Sequence, residues 1–189
     1  MPKGRGFRKT AWLANFAVTL TTQGLCALFP QLATHLDIRA DIHGGMLALL
    51  RATSLIAFIG LAYWSYWRTH LWPLWVAQLI GVLALVMVGF ATQTWLFAVA
   101  FALNGLVAGY SYQASIFFTL EEVAGKGEGS GLHEAILGVG IFLGSLLAGW
   151  CGQHYSIRSP YFFCAGMLAV LIVAQMVLVF VRRRTTVPA

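Results

Sequence analysis

The chain has 189 residues, of which 59% are apolar and only 10% charged, against roughly 25% charged residues in an ordinary soluble domain. That composition excludes a soluble globular fold, and the absence of polar, Pro-rich or low-complexity tracts excludes disordered and fibrous classes. The net charge of +6 sits in basic residues beside apolar runs, so it points to orientation in a bilayer and not to nucleic acid.

Barrel strands would alternate in polarity over about ten residues. Tyr161 to Val181 is instead apolar on every helical face. At about 20 apolar residues per crossing, the length holds at most about eight helices and not twelve. Hydropathy predicts six spans, 11–33, 45–67, 72–92, 95–120, 132–152 and 160–181, forming one unit over 1–189. The breaks are His35 to Gly45 behind Pro30, Arg68 to His70, Thr92 to Thr94, the Gly-rich charged stretch Glu121 to Gly131, and His154 to Pro160.

Lys3, Arg5, Arg8 and Lys9 precede the first span, which is longer than a signal-peptide core and lacks a small-residue cleavage site, so it is expected to stay uncleaved. Within it Asn15, Thr19, Thr22 and Cys26 recur at helical spacing with Gln23 beside them, giving one polar face that has to turn away from lipid. The second span carries Arg51, about six residues or roughly 9 Å inside its outer end. Two readings fit: an arginine snorkelling to headgroups, or a partner for an anion or carboxylate facing the bundle. Asp37 and Asp41 belong to the outer loop and Glu134 to the inner side, so no internal counter-charge is evident.

The third and sixth spans are lipid-like, with one internal amide each, Gln78 and Gln175. The fourth repeats the stripe of the first through Asn104, Ala108, Ser111 and Ser115, flanked by Tyr110, Tyr112 and Gln113, and adds Gly105 and Gly109. Alternatively the stripes reflect Ser and Thr bonding their own backbone and small residues permitting close packing. The fifth span sets Gly140, Gly144, Ala148 and Gly152 four residues apart, a helix-packing ridge. His133 and Glu134 at its start form either a proton-handling pair or a solvated helix terminus with a favourably placed Glu. A polar-striped first helix and a lipid-like third in each triplet indicate a 3+3 internal repeat.

Orientation follows from basic residues. With the N-terminus inside, Lys3, Arg5, Arg8, Lys9, Arg68, Lys126, Arg182, Arg183 and Arg184 lie inside against Arg39 and Arg158 outside, which places both termini in the cytoplasm. Cys26, Cys151 and Cys164 lack CxxC spacing, which argues for small apolar fillers and not for a disulfide or zinc site. The histidines fall on opposite sides without a facing pair for haem, and no phosphate-binding Gly-rich loop occurs. The expectation is therefore no enzyme, no catalytic residue, no metal and no cofactor.

The segment Leu28-Phe-Pro-Gln-Leu-Ala-Thr-His-Leu36, followed by a span with Arg51 and Gly60, resembles the start of a half-unit of the major facilitator superfamily. Gly105-Leu-Val-Ala-Gly-Tyr110, the glycine-rich fifth span and Arg158-Ser-Pro-Tyr-Phe162 resemble the fourth helix, fifth helix and last outer turn of such a half. The family has twelve helices in two halves. The likeness is greater to the second half, because Trp64-Ser-Tyr-Trp-Arg-Thr-His70 keeps a basic residue but lacks the acid of the first half's motif.

The resemblance implies that the first and fourth helices line a central cavity, with Asn15, Thr19, Thr22, Gln23, Asn104, Ser111, Tyr112 and Gln113 on its wall. It implies a half-size secondary transporter, or transporter subunit, moving a small solute across the inner membrane. The alternative is a non-transporting scaffold or assembly subunit of a larger membrane complex. Expected partners are the bilayer, the solute, and either a second copy or a second six-helix subunit, since one unit would leave both polar stripes unclosed. No nucleic-acid partner is expected.

Overall fold

The structure, a computed structural model, describes residues 7–122 and 126–185, with side chains at 122, 126 and 182–185 left aside. Lys3 and Arg5 of the orientation argument lie outside the described residues, as do the side chains of Lys126, Arg182, Arg183 and Arg184. Six helices result: α1 (Arg8–His35), α2 (Ala40–Tyr63), α3 (Trp72–Phe90), α4 (Thr94–Glu122), α5 (Lys126–His154) and α6 (Ser159–Thr185). All six are long and apolar enough to cross a membrane.

Two boundaries move from the sequence expectation. α2 begins at Ala40 and stops at Tyr63, displaced from 45–67, and α5 begins at Lys126, six residues before 132 (132 − 126). Hydropathy sees only the part of a helix that matches hydrocarbon, whereas backbone hydrogen bonding continues through its polar terminal turns. Beyond Tyr63 the chain forms a 3₁₀ turn, Tyr66–Arg68. The indole of Trp67 is the reason: it is buried against Tyr110, Phe117 and Phe118 and donates Nε1–H to the Leu61 carbonyl at 3.1 Å.

Other helix ends are closed by side chains. Arg158 donates to the carbonyls of Gly89 and Ala91 at 3.0 and 2.7 Å, satisfying the outer end of α3. Ser156 and Ser159 exchange reciprocal backbone-to-hydroxyl bonds of 3.1 Å at the start of α6, in the manner of a capping box. Pro73 and Pro160 sit in first turns, where no intrahelical N–H is needed.

The packing has an internal symmetry. α1 packs on α5, α6 and α4, while α4 packs on α2, α3 and α1, and α3 touches α6. Exchanging the first three helices with the last three leaves this pattern unchanged, which is the 3+3 repeat. Because lipid is as apolar as the helix surfaces, association rests on close van der Waals fit and interhelical hydrogen bonds. The fit is made by glycine. A Cβ on Gly105 would collide with the Leu50 carbonyl and Thr53 hydroxyl of α2, one on Gly109 with the Ser54 carbonyl, and one on Gly144 with the Leu20 carbonyl of α1. Gly140, a turn below, faces the Phe16 carbonyl at 3.3 Å, as its spacing predicts.

Between α3 and α6 the two isolated amides meet. Gln78 Nε2 donates to Gln175 Oε1 at 2.9 Å, and Gln175 Nε2 returns a bond to Gln78 Oε1 at 2.7 Å, both side chains fully buried. In the largest apolar cluster Phe29 meets Phe97 and Phe101 at 5.2 and 4.6 Å. A second cluster gathers around Trp67, Phe117 and Phe118 at the other end of the bundle.

Candidate intramembrane polar site

α1 and α4 are the most buried helices and pack against each other, so much of their polar striping is buried within a single unit, with the Thr22, Ser111 and Ser115 hydroxyls left without a hydrogen-bond partner. Asn15, Thr22, Asn104 and Ser111 are all buried. Asn104 donates to its own helix at Ala100 (3.0 Å), and Trp12 Nε1–H donates to Thr119 Oγ1 at 2.7 Å. The α1 flank that remains partly open carries Thr19, Gln23 and Cys26. Gln113 is not brought to this group. It lies two residues beyond Ser111, about 200° round the helix, on the flank of Leu106 and Phe117.

The structure does assemble Asn15, Tyr112, His133 and Glu134. His133 Nδ1 lies 3.2 Å from Glu134 Oε1, and Asn15 Nδ2 lies 3.2 Å from His133 Nε2. A carboxylate offers only acceptors, so Nδ1 carries the imidazole hydrogen and Nε2 accepts the Asn15 N–H. Tyr112 donates its hydroxyl to the same Glu134 oxygen at 3.3 Å, and its ring meets His133 edge-on at 5.2 Å and Phe58 of α2 at 5.9 Å.

Four helices thus contribute to one spot, and the glycine contact of α5 with α1 sets the register that brings it together. The two ionisable groups differ in access: the His133 side chain is 1% exposed and that of Glu134 60%. Because α5 starts at Lys126, His133 is its eighth residue, about 10 Å in from the helix start.

Arg51 is the twelfth residue of the 24-residue α2, about 16 Å along the helix from Ala40. It shares a flank of α2 with Leu47 and Phe58, one and two turns away, and Phe58 leads to Tyr112. Cys26 of α1 is within its electrostatic reach. Arg51 is exposed, on the side of α2 turned toward α1. Among the described residues the ion pairs are Arg39 with Asp41 at 2.7 Å and His133 with Glu134, so no carboxylate is paired with Arg51.

A six-helix unit with inverted triplets, central first and fourth helices and charged groups on an inward flank is the architecture of a transporter half. Residues 11–189 match the family model of the Major Facilitator Superfamily. The chain belongs to that superfamily. No curated protein and no solved structure matches it.

Membership of the major facilitator superfamily makes this a transporter-like integral membrane protein. Three structural features of this superfamily member are not evident from its sequence. Phe58 was hidden among apolar residues, although its place seven residues, or two turns, from Arg51 marks the same flank. Thr119 continues the α4 stripe one turn past Ser115. The Gln78–Gln175 pair was visible only as two isolated amides.

Proposed function

We propose that this protein is a proton-coupled secondary transporter, or the membrane subunit of one, that moves a small solute along the α1–α2–α4–α5 side of the unit. The observation that carries the reading is the Asn15–His133–Glu134–Tyr112 network inside the membrane. Intramembrane ionisable groups cost free energy and mark proton or substrate paths. Glu134 is the exposed carboxylate of the network, its side chain 60% exposed, and in this reading it takes the proton. His133 and Tyr112 donate to that carboxylate, and Asn15 holds the imidazole in the tautomer that does so.

A second six-helix unit, a second copy or a separate subunit, faces the open flank of Thr19, Gln23, Cys26 and Arg51. The support is narrower than the full stripes: these partly or fully exposed polar groups would otherwise meet lipid. The protein resides in the cell's inner membrane with both termini cytoplasmic, as the basic residues favour.

The test uses the full chain reconstituted in liposomes containing a pH-sensitive dye, with candidate solutes added under an imposed pH gradient. Solute-dependent proton entry is expected in the parent. Glu134→Gln should abolish it while retaining solute exchange at equal concentrations on both sides. Undiminished proton-coupled uptake in Glu134→Gln would overturn the proposal.

A further inference from the structure

We propose that the transported solute is a small organic oxyanion, a carboxylate or phosphate, held by Arg51; this rests on the transport reading and adds the substrate class to it. The guanidinium stays charged at any physiological pH, so neutralisation by proton loss is not open to it. Arg51 is the twelfth residue of the 24-residue α2, near the middle of the helix. A mid-membrane arginine needs an anion, and this chain supplies none among the described residues.

The sequence holds six acidic residues. Asp37 and Asp41 lie in or beside the outer connection, Asp41 bound to Arg39 at 2.7 Å; Glu121 and Glu122 end α4, Glu128 is in the first turn of α5, and Glu134 is engaged by His133 and Tyr112. The planar fork of Arg51 matches two oxygens of a carboxylate or phosphate. Cys26 of α1 is within electrostatic reach of the guanidinium and offers a small polarisable wall, and Gln23 lies on the same partly open flank of α1 as Cys26.

Charge counting ties this site to the proton site. In the empty protein Arg51 is positive and Glu134 negative, a sum of zero. With a monovalent anion on Arg51 and a proton on Glu134 the sum is again zero. Both forms are therefore free of net charge along this side of the membrane, where unbalanced charge is costly. An anion bound without the proton, or a proton without the anion, leaves a net charge. That imbalance disfavours reorientation of the half-loaded protein and couples the two movements.

The experiment measures binding separately from transport, as thermal stabilisation of the purified full chain followed by tryptophan fluorescence. Lactate, benzoate and glycerol 3-phosphate are compared with their neutral counterparts lactamide, benzamide and glycerol. At least one anion should stabilise the protein and its neutral counterpart should not, and the carboxylates and the phosphate distinguish the two oxyanion classes. Arg51→Gln should weaken that binding at least tenfold with the unliganded melting temperature unchanged, because Arg51 is exposed; Arg51→Lys should bind more weakly than the parent and more tightly than Arg51→Gln. Equal stabilisation by anion and neutral counterpart, undiminished binding in Arg51→Gln, or no binding by any anion would overturn the proposal. Anion binding without proton-coupled uptake would sink the transport reading alone, and proton-coupled uptake of a neutral solute would sink the oxyanion assignment alone.

Discussion

The reciprocal amide pair between α3 and α6 gives a quantitative test of how this fold is held. Interhelical hydrogen bonds in membrane proteins average about 0.6 kcal/mol and reach about 1.7. The two bonds of Gln78 with Gln175, at 2.9 and 2.7 Å, should therefore contribute about 1–3 kcal/mol together. Replacing one partner by leucine loses both bonds and leaves the other amide buried, at about 1–3 kcal/mol for an unpaired polar group.

The singles should differ. In Gln175→Leu the surviving Gln78 keeps a bond to the Leu74 carbonyl at 3.3 Å, whereas in Gln78→Leu no such fallback is seen for Gln175, so Gln78→Leu should cost more. The double leucine variant removes both amides in favour of similar apolar volume and should lose about 1 kcal/mol or less relative to the parent. Equilibrium unfolding in mixed micelles, titrated with SDS and read by tryptophan fluorescence, gives the three differences. A double variant equal to the sum of the singles within about 0.3 kcal/mol would refute the coupling.

The glycine contacts predict a sharp contrast. Gly144→Leu, forced against the Leu20 backbone, should cost more than about 3 kcal/mol and yield no monodisperse folded protein by size-exclusion chromatography. Gly149→Leu, with nothing within 4 Å of its Cβ, should behave like the parent. Arg158→Ala uncaps the carbonyls of Gly89 and Ala91 and should destabilise by about 1–2 kcal/mol in the same micelle titration, charged bonds being worth about 1.5–3 before a discount for partial exposure. Finally, in a background free of Cys26, Cys151 and Cys164, a cysteine at Ala40 should react with an impermeant maleimide in intact cells and one at Gly127 should not; the reverse pattern would invert the assigned orientation.

The six helices were legible because a bilayer leaves few alternatives: about 20 apolar residues with satisfied backbone bonds form a spanning helix. The glycine ridge of α5 was legible for the same reason, since in lipid small residues at four-residue steps have close packing as their main use. Helix starts were read less well. Hydropathy begins the second span at 45 and the fifth at 132, whereas α2 begins at Ala40 and α5 at Lys126, because their polar first turns carry no apolar signal yet are helical. Partner choice was not legible at all. Spacing shows that Asn15 and Ser111 occupy polar faces, but whether a face meets a cavity or another helix depends on tertiary contacts, and α1 and α4 turned out to face each other. Gln113 illustrates the opposite error, in which sequence adjacency to Tyr112 hid an angular separation of about 100°.

The glycine contacts also determine what can move. Where helix backbones meet without intervening side chains, as at Gly144 against Leu20 and Gly105 against Leu50, neither helix can tilt without its neighbour. α1 and α5 therefore travel as one rod pair, and α2 and α4 as another. The two pairs meet along α1 and α4, while α6 packs on α1 and α3 on α4, and α3 and α6 meet each other around the Gln78–Gln175 amide pair. Bending within this unit is a scissoring of two stiff blades about that line. Arg51 on the α2 blade and the His133–Glu134 pair on the α5 blade would then part or approach in one stroke.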